Sequence, residues 1–197
     1  MVSKSKILIV SILIISVTLV WLIAPFLSNL FATSNEPFSE LWLLGPERTA
    51  ENYPHDITSN QEYTVYLGAS NQLNEDAEYS IHVKLSDGIK QLLNSTAAEY
   101  SLLPSIRAFD FSLSDEETWE TRFVFALDYS LIQENLTRIE NIKINGATFS
   151  VNQNILLDPR LDSFYIILVF ELWSNNGTDN TLQYTNQHLQ LFLKLDS

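Results

Sequence analysis

Residues 78–85 read EYSIHVKL, an alternation that puts Tyr79, Ile81, Val83 and Leu85 on one face and Glu78, Ser80, His82 and Lys84 on the other. Successive side chains of a strand point to opposite faces, so this spacing predicts a β-strand with one buried and one polar side. The same period, or a continuous apolar run rich in β-branched and aromatic residues, recurs at 62–67, 105–113, 120–127, 141–150, 163–173 and 187–195. Turn-forming clusters separate these segments: Gly68-Ala69-Ser70-Asn71, Ser86-Asp87-Gly88, and Ser174 through Thr178. About seven strands follow, and with them a mainly β fold, an antiparallel β-sandwich.

Two stretches break the alternation. Residues 89–103, IKQLLNSTAAEYSLL, predict a helical turn or a long inter-strand connection that Pro104 ends. In 131–139, Ile132, Leu136 and Ile139 repeat at i, i+4 and i+7, the spacing of a short amphipathic helix.

Upstream of the β pattern, residues 7–27 form an uncharged run of 21 residues, ILIVSILIISVTLVWLIAPFL. At about 1.5 Å per residue, such a helix measures roughly 30 Å, the thickness of the hydrocarbon core of a bilayer. Lys4 and Lys6 precede it and Glu36 and Glu40 follow it, which predicts a cytoplasmic N-terminus and an exported remainder. A cleaved signal is the competing reading. Its apolar core is normally shorter, and Leu30-Phe31-Ala32 puts a bulky residue where cleavage wants a small one. The expected organisation is a cytoplasmic stub and single-pass anchor at 1–31, a linker at 32–40, and an extracellular sandwich at 41–197.

Charge divides in the same way. The chain has 197 residues and a net charge of −13, yet all 24 acidic side chains lie beyond residue 31, where only nine of the 11 basic ones are found. An acidic exported part, in a chain of pI near 4.4, argues against nucleic acid as a partner. The absence of cysteine excludes disulfides, thiol catalysis and cysteine-based zinc sites.

The string LLGPERTAENYPHDIT, followed by YTVYLGASNQ and AEYSIHVKL, with TWETRFVFAL, FYIILVFELW and YTNQHLQLFLKL later, resembles an uncharacterised archaeal family of membrane-anchored proteins, domain of unknown function 1616. The resemblance spans most of residues 41–195. It implies an immunoglobulin-like exported domain on a membrane anchor, and it supplies no activity.

Candidate chemistry is sparse. Asn52-Tyr53-Pro54 is the most distinctive triplet; Tyr53 and His55 are candidate ligand contacts, or else Tyr53 packs on the sandwich edge while Pro54 stiffens the entry to the next strand. His55, His82 and His188 show no metal-ligand spacing. Glu75 and Asp76, with Asp115 and Glu116, are candidate calcium ligands in inter-strand loops, although no EF-hand pattern is present. Paired carboxylates of a glycosidase need a cleft that sequence cannot place. No nucleophile elbow, S-x-x-K motif or phosphate-binding glycine loop occurs. Asn94, Asn135 and Asn176 begin N-glycosylation sequons, with Asn176 the best placed by its polar turn.

These features lead to the expectation of a non-enzymatic cell-surface module without cofactor, held in the bilayer by residues 7–27 and binding a protein or glycan partner. The alternatives are an accessory subunit of a membrane enzyme or export complex, with Ser11, Ser16 and Thr18 permitting close helix contact, and a carbohydrate-active enzyme.

Overall fold

The computed structural model describes residues 37–87, 100–175 and 181–196, within a compact unit spanning Pro37–Ser197. The expected span at 7–27, most of the 89–103 stretch, and the sequons at Asn94 and Asn176 lie outside the described residues. Among the described residues no helix is long and apolar enough to cross a membrane.

Ten strands are described, more than the pattern predicts: β1 (Phe38–Leu44), β2 (Asp56–Ile57), β3 (Tyr63–Gln72), β4 (Ala77–Ser86), β5 (Arg107–Leu113), β6 (Thr118–Gln133), β7 (Leu136–Ile144), β8 (Ala147–Leu156), β9 (Phe164–Asn175) and β10 (Gln183–Leu195). They form two five-stranded sheets, in the orders β1-β3-β6-β7-β8 and β2-β10-β9-β4-β5. Pairing is antiparallel except between β10 and β2, a short parallel ladder of Lys194 with Asp56 and Leu195 with Ile57. The sheet is therefore mixed at that edge, a departure from the wholly antiparallel expectation.

The core lies between the sheets and follows the period-two pattern. Val65, Leu67 and Ala69 of β3 and Phe123, Phe125 and Leu127 of β6 meet Tyr79, Ile81 and Val83 of β4 and Ile166, Leu168, Phe170 and Leu172 of β9. Phe123 and Phe170 cross edge to face, with ring centroids 5.2 Å apart. Each Val, Leu, Ile or Phe among them contributes about 1.5–3 kcal/mol on burial, and in a chain without disulfides this core carries the fold.

Several boundaries move from their expected places. Strand β1 begins at Phe38, so the expected linker ends sooner and 38–40 belong to the sheet. Gly68 to Asn71 form no turn; β3 runs through them. A Cβ on Gly68 would come within 2.2 Å of the Trp42 ring, so this glycine is the seat of a cross-strand tryptophan. Asn71 is buried because its side chain is fully used: its amide donates to the carbonyls of Glu75 (2.7 Å) and Leu113 (3.1 Å). Its oxygen accepts from Leu73 N–H and the Tyr79 hydroxyl.

The helix expected at 131–139 is the β6–β7 hairpin, turning at Glu134-Asn135. Register shifts between Leu131 and Gln133 and between Ile139 and Asn141 change the phase of the alternation, and the spacing of Ile132, Leu136 and Ile139 joins two strands across a turn. Ile132 is consequently half exposed while Ile139 is fully buried. The single strand expected at 141–150 is likewise two, β7 and β8. Asn145 and Gly146 both adopt positive φ, 47° and 82°, the geometry of a type I′ hairpin turn. Asn145 Oδ1 also accepts from Val124 N–H at 2.7 Å.

Candidate functional site

The Leu-Gly-Pro and Asn-Tyr-Pro motifs bracket one loop after β1. Gly45 N–H donates to the Thr49 carbonyl at 2.7 Å, and a Cβ on Gly45 would lie 1.9 Å from the Glu51 carbonyl oxygen. Only glycine admits that approach. Asn52 then turns the chain in the left-handed region, with φ of 57°, a conformation asparagine tolerates better than most residues. The Tyr53 hydroxyl donates to the Leu43 carbonyl at 2.7 Å, pinning the loop to the end of β1.

Past Pro54 the chain swings to the other sheet. His55 O accepts from Lys194 N–H at 2.7 Å, and Ile57 O accepts from Asp196 N–H at 2.9 Å. The Tyr129 hydroxyl reaches both Ile57 O (2.5 Å) and Asp196 O (2.9 Å). Burial, with the Asp196 charge adding to it, pushes this phenol up to about 12, so it stays a donor over the physiological range.

Between the pinned loop and β10 a groove of about 580 Å³ remains, lined by Leu43, Tyr53, Pro54, His55, Gln190 and Phe192 among others. Its walls are mainly apolar, and Tyr53 and Phe192 are 37% and 46% exposed. The groove thus combines aromatic surface with a few polar groups, the usual composition of a recognition site. Farther along the seam, a wider depression of about 650 Å³ lies between Phe38–Trp42 and Asn186–His188, where the Gln187 amide donates to the Ser39 carbonyl.

The outward face of the second sheet carries a buried charge pair. Lys84 Nζ is 2.7 Å from Glu171 Oε2. It directs a hydrogen to the Ser101 carbonyl at 2.6 Å, while Ser101 N–H donates to Glu171 Oε1 at 2.7 Å. Beside the pair, His82 stacks on Trp173 with ring centroids 5.2 Å apart. Burial, reinforced by the Lys84 charge, lowers the His82 pKa against the opposing pull of Glu171 and Asp110.

The remaining sequence candidates are dispersed. Asp115 Oδ1 accepts from Asn74 N–H at 2.9 Å, joining the loop that holds Glu75 and Asp76 to the one that holds Glu116. Among the described residues no three acidic or histidine side chains converge as a metal cage. His82 and His188 both flank Glu171 in register, but His82 stacks on Trp173 and His188 Nδ1 pairs with the Tyr184 hydroxyl at 3.1 Å. His55 lies against Tyr165 instead. Asn135 is exposed at the β6–β7 turn. The β10 wall of the groove escaped the sequence reading altogether, because Gln190 and Phe192 look like any strand residues until the neighbouring strand is known to be two residues long.

Residues 32–140 match the family described as a domain of unknown function, DUF1616. The chain belongs to the DUF1616 family. The matched part of this DUF1616 chain includes the Tyr53 wall of the groove, while Gln190 and Phe192 lie beyond it. No curated protein matches the chain.

Among solved structures, a β-glucosidase from Listeria innocua in complex with glucose aligns at a TM-score of 0.39 and 8% identity. That alignment covers 82% of this DUF1616 chain and 16% of the enzyme, so the chain spans about a sixth of the glucosidase's length. A β-glucosidase from Erythrobacter marinus gives 0.35 and 9%, covering 80% and 16%. A chain from the human seminal plasma complex of zinc 2-glycoprotein and prolactin inducible protein gives 0.35 and 11%, covering 83% and 99%.

Proposed function

We propose that this chain is a non-enzymatic, membrane-anchored surface protein of an archaeal family. In this reading residues 7–27 lie in the bilayer, the N-terminus is cytoplasmic, and an immunoglobulin-like sandwich outside the cell binds a protein or glycan partner. The observation that carries the reading is the groove between Tyr53 and Phe192, which exposes aromatic surface beside polar side chains on a rigid two-sheet scaffold. The uncharged run at 7–27 and its lysine-first flanks support the anchor and its orientation. The two packed sheets support an immunoglobulin-like arrangement.

The test uses the full chain in lipid nanodiscs, presented to a random-peptide library and a panel of purified glycans. At least one class binds the wild type, and Tyr53→Ala with Phe192→Ser weakens it tenfold or more. Binding that ignores both substitutions removes the groove from the account.

A further inference from the structure

The outer edge of β10 has an unfilled hydrogen-bonding row. Lys194 and Asp196 donate their N–H groups to the carbonyls of His55, just before β2, and Ile57, within it, and alternate residues of a strand point their backbone groups the same way. The register of β10 with β9 is unbroken from Gln187 to Leu195. Gln190 and Phe192 therefore aim N–H and C=O outward, like Lys194, but β2 pairs only with Lys194 and Leu195. No other described strand takes the vacant positions.

The Asn-Tyr-Pro motif creates this opening. Pro54 biases Tyr53 away from helical geometry, and the Tyr53 hydroxyl bonds to the Leu43 carbonyl of β1, tying the chain ahead of β2 to β1 and not to β10. Open edges invite pairing with another chain, and proteins commonly guard them with lysine or proline. Neither Gln190 nor Phe192 is such a guard, and both line the groove.

We infer that the groove takes an extended polypeptide, which adds to β10 as a strand beside Gln190 and Phe192. Backbone hydrogen bonds supply affinity, and an apolar side chain set between Tyr53 and Phe192 supplies specificity. Residues 37–197 carry 23 acidic and nine basic side chains, a net charge of −14, so long-range attraction favours a basic polypeptide and its association slows with salt. The inference rests on the groove being the recognition site, as proposed above.

The experiment selects a phage-displayed library of random decapeptides against the full chain in neutral-lipid nanodiscs, then measures the enriched peptides on variants. Gln190→Ala trims the side chain and keeps the backbone, and Gln190→Pro, which also removes one outward N–H, lowers affinity about tenfold below Gln190→Ala, the worth of roughly 1.4 kcal/mol; equal affinities of the two variants overturn strand addition. Should Gln190→Pro fail to fold, N-methylation along the selected peptide gives the same information without altering the protein. Loss at every second position supports strand addition, and uniform tolerance overturns it. Enrichment of no peptide also overturns it. Glycan binding that falls with Tyr53→Ala while no peptide binds overturns strand addition and leaves the groove as the site; binding of neither class removes both.

Discussion

Lys84 and Glu171 sit 2.7 Å apart on adjacent strands with side chains only 5% and 2% exposed, and Ser101 closes over them by bonding to each. Polar residues on the outward face of β4 and β9 would ordinarily be wet. Here the segment around Ser101 covers them, and Tyr100 brings its ring to within 6.0 Å of Lys84 Nζ. Taking two charges out of water is tolerable only when they remain paired and hydrogen-bonded.

Removing one partner strands the other in a dry site. Lys84→Met and Glu171→Leu are each expected to lower stability by about 3–5 kcal/mol. The Lys84→Met/Glu171→Leu double variant is expected to lose much less than the sum, because no unpaired charge is left. Urea unfolding of the full chain in detergent checks this, and additive losses would mean that the pair is not coupled.

His82 makes stability depend on pH. Its pKa in the folded chain is below the ordinary 6.5, chiefly through burial and then through the Lys84 charge. The unfolded chain therefore takes up this proton first, and stability is complete above 6.5 and falls as pH drops through the lowered value. Replacing His82 with Phe preserves the stacking surface against Trp173 and removes the proton. Midpoints of thermal unfolding between pH 7.5 and about 5 are expected to decline for the wild type and to flatten for His82→Phe.

Gly45→Ala tests the loop that shapes the groove. The new Cβ meets a backbone carbonyl, that of Glu51, at 1.9 Å, so the loop must move as a piece. A stability loss of about 1–3 kcal/mol is expected, together with a loss in ligand binding as large as that of Tyr53→Ala. Unfolding and affinity measurements on the same preparations separate the two, and unchanged affinity would detach the loop from recognition.

Much of this architecture is legible in the sequence, and the exceptions have physical causes. Strands β4 and β9 read directly, since every second residue from Tyr79 to Leu85 and from Phe164 to Leu172 is apolar and buried. The β6–β7 hairpin misleads because Ile132 sits at a bulge on β6 while Leu136 and Ile139 lie on β7 beyond the turn, so the helical spacing joins residues of two strands. Gly68 through Asn71 imitate a turn because small polar residues there serve other ends: a seat for Trp42, and a buried asparagine with every bond made.

The groove is half legible. Asn52, Tyr53 and Pro54 attract notice as a motif, but what they do depends on a hydrogen bond to Leu43 and on the shortness of β2. Both are properties of tertiary pairing that no local window contains. The Lys84–Glu171 pair is invisible for the same reason, its members lying 87 positions apart and meeting only through the register of β4 with β9.

Photo-crosslinking in intact cells tests the central claim most directly. A benzoylphenylalanine is placed in the full chain at Gln190, in the groove, and separately at Leu156, which is 72% exposed on β8 at the far edge of the first sheet. The groove account predicts a light-dependent adduct from position 190 that disappears with Tyr53→Ala, and none from position 156. An adduct from position 156 alone, or one from position 190 that ignores Tyr53→Ala, would contradict it.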